Sequence, residues 1–215
     1  MKVKWLGHAC FMITSDAGIK IITDPYKPED HLYYGEIEES ADIVTVSHEH
    51  YDHNNTAAIK GNPRIIKGAA SVESKGIKFQ GTPTYHDNTK GNQRGNNVIF
   101  CFEVDGLKIC HLGDLGHRLD DKQVTALGKV DVLLIPVGGF YTIDAKIATQ
   151  TCNQINPRVI LPMHYKTDKC SFPPSGVDEF IRGKENVKRL DTSEVELKAG
   201  ELPAIPQIIV LKSAL

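Results

Sequence analysis

The sequence predicts an α/β protein in which two β-sheets pack against each other with helices outside. Three observations carry this. The first half is rich in short, β-branched apolar runs closed by turn residues. The second half mixes further strands with helical periodicity, and no linker, repeat or low-complexity segment divides the two halves. Polar side chains able to bind metal follow one apolar run after another, as expected if several strands end at one edge.

Taken in order, Lys2 to Leu6 alternates polar and apolar residues, and Cys10 to Thr14 continues as a strand. Asp16-Ala17-Gly18 turns the chain, and Ile19 to Thr23 returns, giving an opening meander. Asp24-Pro25 closes it, because the residue before proline is held out of helical geometry. Asp24 is then either a turn former or a carboxylate that aims a ligand histidine from behind. Residues 26–40 form a long connection with three tyrosines and His31, either overhanging a site or lying on the surface. Ala41 to Val46 reads as a buried strand. It delivers Ser47-His48-Glu49-His50-Tyr51-Asp52-His53. If strand geometry persists to His50, then His48 and His50 share a face, while Asp52 and His53 lie beyond a turn and point elsewhere. Asn54-Asn55 looks like a cap for a helix over 56–60.

Arg64 to Ile66, Gly76 to Phe79 and Thr82 to Tyr85 read as short strands, the last delivering His86. Residues 87–97 form a Gly/Asn-rich loop whose Lys90 and Arg94 either meet an anionic substrate or lie at a solvated tip. Val98 to Val104 and Leu107 to His111 form a hairpin about Asp105-Gly106, and Gly113-Asp114 follows. A helix is expected over 123–127, a buried strand over 132–136 and a helix over 143–155. Val159 to Met163 is a strand that delivers His164. A helix over 177–182 and strands over 187–190 and 207–211 complete the chain.

The whole chain of 215 residues fits a single domain, residues 1–215, burying about 70% of its unfolded surface. Its 25 basic and 27 acidic residues give a net charge of −2, without a basic run, so a dedicated nucleic-acid binder is disfavoured. Cys10, Cys101, Cys110, Cys152 and Cys170 lack any Cys-x-x-Cys spacing and read as free thiols in apolar patterns, which fits a reducing cytoplasm. Neither a signal peptide nor a membrane span is expected. Oligomeric state is not readable, and a homo-oligomer stays open.

The order His48-x-His50-x-Asp52-His53, then His86, Gly113-Asp114 and His164, resembles the metallo-β-lactamase superfamily. The phrases Trp5-Leu6-Gly7-His8-Ala9-Cys10-Phe11, His111-Leu112-Gly113-Asp114 and Pro162-Met163-His164-Tyr165 are similar to its small single-domain hydrolases related to ascorbate-6-phosphate lactonase. The resemblance implies a four-layer αββα sandwich with the site at one edge. It further implies two divalent metals: His48, His50 and His86 on one, Asp52, His53 and His164 on the other, and Asp114 bridging. Asp24 would take the supporting role behind a ligand histidine, and His111 is either a surface histidine or a candidate for the same supporting layer.

Such a pair of cations would share a hydroxide and direct it at a carbonyl or phosphoryl centre. The expected reaction is hydrolysis of an ester, lactone, thioester or phosphoester in a small anionic substrate. Candidates for direct catalytic work are Asp52, His117 and His8, the two histidines as proton donors to the leaving group, with Tyr165 less suited. His117 has an alternative reading as a surface histidine at a helix start. Flavodiiron relatives carry a carboxylate where this chain has His50, which favours a hydrolytic zinc site; manganese, iron and nickel also suit such ligands. The rival readings are a nuclease or phosphodiesterase, and a metal-binding or redox module without turnover.

Overall fold

The computed structural model describes residues 1–171 and 173–215. Strands β1 (Lys2–Gly7), β2 (Cys10–Thr14) and β3 (Lys20–Thr23) form the antiparallel meander. β4 (Ile43–Val46) and β5 (Arg64–Lys67) then add to the same sheet in parallel. The second sheet begins with β6 (Ser71–Ser74), β7 (Ile77–Tyr85), β8 (Asn96–Val104) and β9 (Leu107–His111). Helix α1 (Asp121–Leu127) leads to β10 (Val132–Pro136), and α2 (Ala145–Ile155) to β11 (Val159–Met163). The chain ends with α3 (Val177–Ile181), β12 (Val187–Arg189), β13 (Glu194–Glu196) and β14 (Gln207–Val210). Among the described residues the first sheet has the order β13-β1-β2-β3-β4-β5 and the second β12-β14-β11-β10-β9-β8-β7-β6.

Strand periodicity sorts the side chains. Ile21 and Ile43 face the second sheet and join Trp5, Phe11, Phe79, Phe100 and Leu133 in the main core. Their neighbours Ile22 and Val44 face the other way and pack under Tyr26, Leu32, Tyr34 and Ile37. The 26–40 segment therefore seals the outer face of the first sheet. β10 lies between parallel neighbours β9 and β11 and is buried along its whole length, hence its unbroken Val-Leu-Leu-Ile run.

Several expectations shift at the boundaries. Residues 77–79 and 82–85 belong to one strand, β7, paired with β8 throughout; Pro83 sits where β6 no longer pairs with the other edge. The helix expected over 56–60 is a single 3-10 turn, Thr56–Ala58, which Asn55 does not cap; the Asn55 amide reaches Tyr26 O instead, at 3.1 Å. α1 starts earlier than expected because Asp120 and Gln123 form a reciprocal capping box. β6 and β13 were not expected, since each carries one apolar residue among polar ones at a sheet edge. The expectation of five free thiols also needs correction. Cys101 and Cys110 are directly opposed on β8 and β9 and form a disulfide, while Cys10, Cys152 and Cys170 are free and buried. The thiol count thus no longer argues for a reducing compartment. Among the described residues no helix is long and apolar enough to cross a membrane.

Candidate metal centre

The chain segments that leave β1, β3, β4, β7, β9 and β11 converge at one edge of the sandwich. They bring His8, Asp24, Ser47 to His53, His86, Asp114 and His164 together. Asp114 is the hub. Its Oδ2 lies 3.2 Å from His53 Nε2, 3.3 Å from His86 Nε2 and 3.2 Å from His164 Nε2. Among the described residues three groups of side chains could hold a cation: His48, His50 and His86; His8, Asp52, His53 and His164; and Asp24, His48 and His53. The first corresponds to one expected set. The second adds His8 to the other, with His8 Nε2 3.2 Å from Asp52 Oδ2.

The layer behind the cluster fixes the ring orientations. Asp24, fully buried, accepts from Ser47 N at 2.8 Å, from the Ser47 hydroxyl, and from His53 Nδ1 at 2.9 Å. Because the Ser47 proton goes to Asp24, its oxygen can accept from His48 Nδ1, 2.8 Å away. That leaves His48 Nε2 with its lone pair. His111 donates from Nε2 to Ala9 O at 2.8 Å and accepts at Nδ1 from Gly113 N at 3.1 Å, so both nitrogens are engaged and it is a neutral supporting residue. Its Nδ1 lies 4.0 Å from Asp24 Oδ2.

Backbone geometry serves the same end. His8, Asp24 and His164 have φ of 51°, 41° and 49°, left-handed conformations that cost energy for residues with a Cβ and that concentrate at functional sites. Gly113 has φ 54°, and a Cβ there would lie 2.3 Å from Asn97 Oδ1 and 2.5 Å from Ser47 Cβ. Asn97, buried, accepts from Asp114 N at 2.9 Å and donates to Thr84 Oγ1 and Leu112 O, tying the His86 and Asp114 segments together.

The charges are strongly coupled. Burial, with the neighbouring His164, pushes His8 down to about 4. Burial, with the neighbouring His53, pushes His48 down to about 3. His53 goes the other way: burial opposes its charge, but Asp114 and Asp52 hold its proton well above the usual range. Burial would raise the carboxyls of Asp114 and Asp52, yet the surrounding imidazoles hold both below the usual range. Buried His48 Nε2 and Asp114 Oδ1 have no hydrogen-bond partner among the described residues. Orphaned lone pairs converging around a carboxylate fit a divalent cation, which supplies the missing partner.

Not every candidate arrives here. His117 is half-buried on the far side of the His86 segment, accepting from Tyr85 N at 3.2 Å and donating to Arg118 O at 2.8 Å. It lines a groove with Lys90 and Asp120 rather than the cluster. Tyr165 is buried against Trp5, ring centroids 5.2 Å apart, and also faces away. His31 and Leu32 of the 26–40 segment do arrive, as part of the wall of a cavity of about 330 Å3 over the cluster. Tyr51, Arg94 and Tyr141 also line it. The sequence reading assigned no role to Ser47, Asn97 or Tyr141. Ser47 was detectable as a small polar residue between a buried strand and the first histidine; the other two had no local signal.

Two packed sheets with this histidine- and carboxylate-lined edge define a protein with a metal-capable centre at the end of an α/β sandwich. The model of the beta-lactamase superfamily domain matches residues 2–164, and the chain belongs to that superfamily. A metal-dependent hydrolase of Archaeoglobus fulgidus is 30% identical over 94% of this chain and 97% of its own. One from Thermococcus kodakarensis is 32% identical over 94% and 98%. The crystal structure of a Thermotoga maritima protein, assigned to the Zn-dependent hydrolases of the metallo-β-lactamase superfamily, superposes with a TM-score of 0.80. It is 39% identical, covering 98% of this chain and 97% of that one. The protein is thus a metal-dependent hydrolase with the metallo-β-lactamase fold.

Proposed function

We infer that the protein is a dinuclear hydrolase of a small molecule, cleaving an ester, lactone, thioester or phosphoester. The observation that carries this is the convergence of three imidazole Nε2 atoms on Asp114 Oδ2, with a possible three- or four-residue donor set on either side. His48, His50 and His86 would hold one divalent ion, Asp52, His53 and His164 the other, and Asp114 both. Zinc suits the imidazole-rich set best, with manganese, iron or nickel as substitutes. When bound, such a pair supplies an acidified water nucleophile and Lewis-acid polarisation of the scissile group.

The chain's own residues orient this chemistry. Asp24 accepts from His53 Nδ1, presenting Nε2 to the cluster, and through Ser47 it does the same for His48. His8 is neutral in the physiological range and donates from Nε2 to Asp52 Oδ2, which steadies that carboxylate. Of the three proton-donor candidates only His8 lies at the cluster, and as a neutral imidazole it would have to take up a proton from solvent before passing one to a leaving group. Arg94 is the only Lys or Arg among the described residues lining the cavity, which supports a small substrate over a nucleic-acid backbone. The open cavity over the donors favours turnover over a closed structural site.

Elemental analysis should find about two divalent ions per chain, as expected of a two-metal site. Panels of lactones, thioesters and phosphodiesters should be turned over by the loaded protein and not after exhaustive chelation. Turnover that survives complete metal removal would refute the reading.

A further inference from the structure

The loop over residues 87–97 carries more order than its composition suggests. Asp87, next to His86, is a buried carboxylate that accepts from Thr89 N and Oγ1 and from Gly91 N, at 2.7 to 2.9 Å on Oδ1. Its Oδ2 accepts from Gln93 N at 3.0 Å and Arg94 N at 2.8 Å. Desolvation would raise this carboxyl, but the converging donors hold it below the usual range. One side chain thus winds the loop around itself and fixes the backbone at Arg94.

The Arg94 side chain is fixed as well. Its guanidinium carbon stands 4.2 Å from the centre of the Tyr141 ring, a cation–π contact on the cavity wall. The residue is half-buried, and no carboxylate pairs with its guanidinium among the described residues. By contrast Lys90, on the same loop, lines the separate groove beside His117. A guanidinium held at both ends, desolvated in part and unpaired, presents its donor fork to whatever enters the cavity.

We propose that Arg94, held by the Asp87-centred loop and the Tyr141 ring, is the specificity-determining residue that reads a second anionic group on the substrate, a carboxylate or phosphate separate from the bond cleaved. This rests on the dinuclear hydrolase reading above, since the scissile group is the one placed at Asp114. Leu32, Tyr51 and Tyr141 give the rest of the cavity an apolar and aromatic lining, so the body between the two groups is short and not heavily charged.

The test is calorimetric binding of acetate, succinate and phosphonoacetate to the zinc-reconstituted full chain, with zinc content measured on each sample. Wild type should bind the two bifunctional anions at least about tenfold more tightly than acetate, as a charge-assisted bidentate contact allows. Arg94→Gln should bring that gap within about twofold, Arg94→Lys should leave part of it, and zinc content should not change. Tyr141→Phe should preserve the gap and Tyr141→Leu reduce it. A gap for succinate identifies a carboxylate reader, and one for phosphonoacetate alone a phosphate reader. No gap in wild type, an undiminished gap in Arg94→Gln, or loss of zinc from that variant would overturn the proposal. Failure of wild type to take up zinc would instead overturn the hydrolase reading beneath it.

Discussion

Single atoms decide how this site is built. Ser47 Oγ gives its proton to Asp24 and takes one from His48 Nδ1, so one hydroxyl sets the tautomer of a histidine whose Nε2 faces the cluster. Ser47→Ala removes both links while leaving every direct donor in place. It should weaken metal affinity about 10- to 100-fold, measured by competition with a chromogenic chelator. An unchanged affinity would mean that packing alone orients His48. Gly113 makes a different kind of demand. Its φ of 54° and the 2.3 Å approach of a built Cβ to Asn97 Oδ1 combine backbone strain with overpacking. Gly113→Ala should lower stability by about 2–4 kcal/mol in urea unfolding. Both residues belong to phrases that stand out in the sequence. Their roles were not legible there, because the Asp24 carboxylate that Ser47 serves lies 23 residues away, and the side chain that excludes a Cβ at Gly113 lies on β8.

Elements carry the donors without themselves performing chemistry. β4, β9 and β11 are buried for all or most of their length, so their ends are fixed by the core, and the polar residues one to three positions past each end inherit that position. The alternation and turn signals made these strands readable in advance. Edge strands such as β13 were not readable, because one buried side chain leaves no pattern. The helices are secondary to the site. In α1, Asp120 accepts from Gln123 N at 2.8 Å and the Gln123 side chain accepts from Asp120 N at 3.0 Å. Asp120→Ala should therefore cost about 1 kcal/mol and lower Tm by about 2–4 °C, with metal content unaltered. Loss of metal in that variant would show α1 to be coupled to the cluster more tightly than its position suggests.

The molecule as a whole holds a buried charge network that a cation would complete, and its pH response follows. His8, His48, His86 and His111 all have pKa values lowered chiefly by burial. For these the unfolded chain binds protons first, so their contribution to stability is present above the unfolded value of about 6.5 and is lost as pH falls below it. His53, with a raised value, contributes in the opposite sense: its contribution is full below about 6.5 and is lost as pH rises through its folded value. The carboxylates lowered by their imidazole neighbours matter only at more acid pH. Four groups outweigh one, so metal-free protein should lose about 5 °C or more in Tm between pH 7 and pH 5. A flat or rising Tm over that interval would contradict the sign of the network. A bound cation takes the place of protons, so the loaded protein should release protons on metal uptake, visible as a buffer-dependent heat of binding.

The chain announced its architecture and its donors. Periodicity gave the strands, and the histidines and carboxylates after successive apolar runs gave the cluster, since both are local properties of residue type and spacing. Which side chains face the cluster depended on the folded arrangement. His8, from the first turn, comes to lie against Asp52, whereas His117, only three residues past Asp114, turns away to Tyr85 and Arg118. Arg94 gained an aromatic partner from a loop 47 positions on. Orientation and long-range contact are set by where the two sheets place their ends in space, and no pattern along the chain encodes that directly.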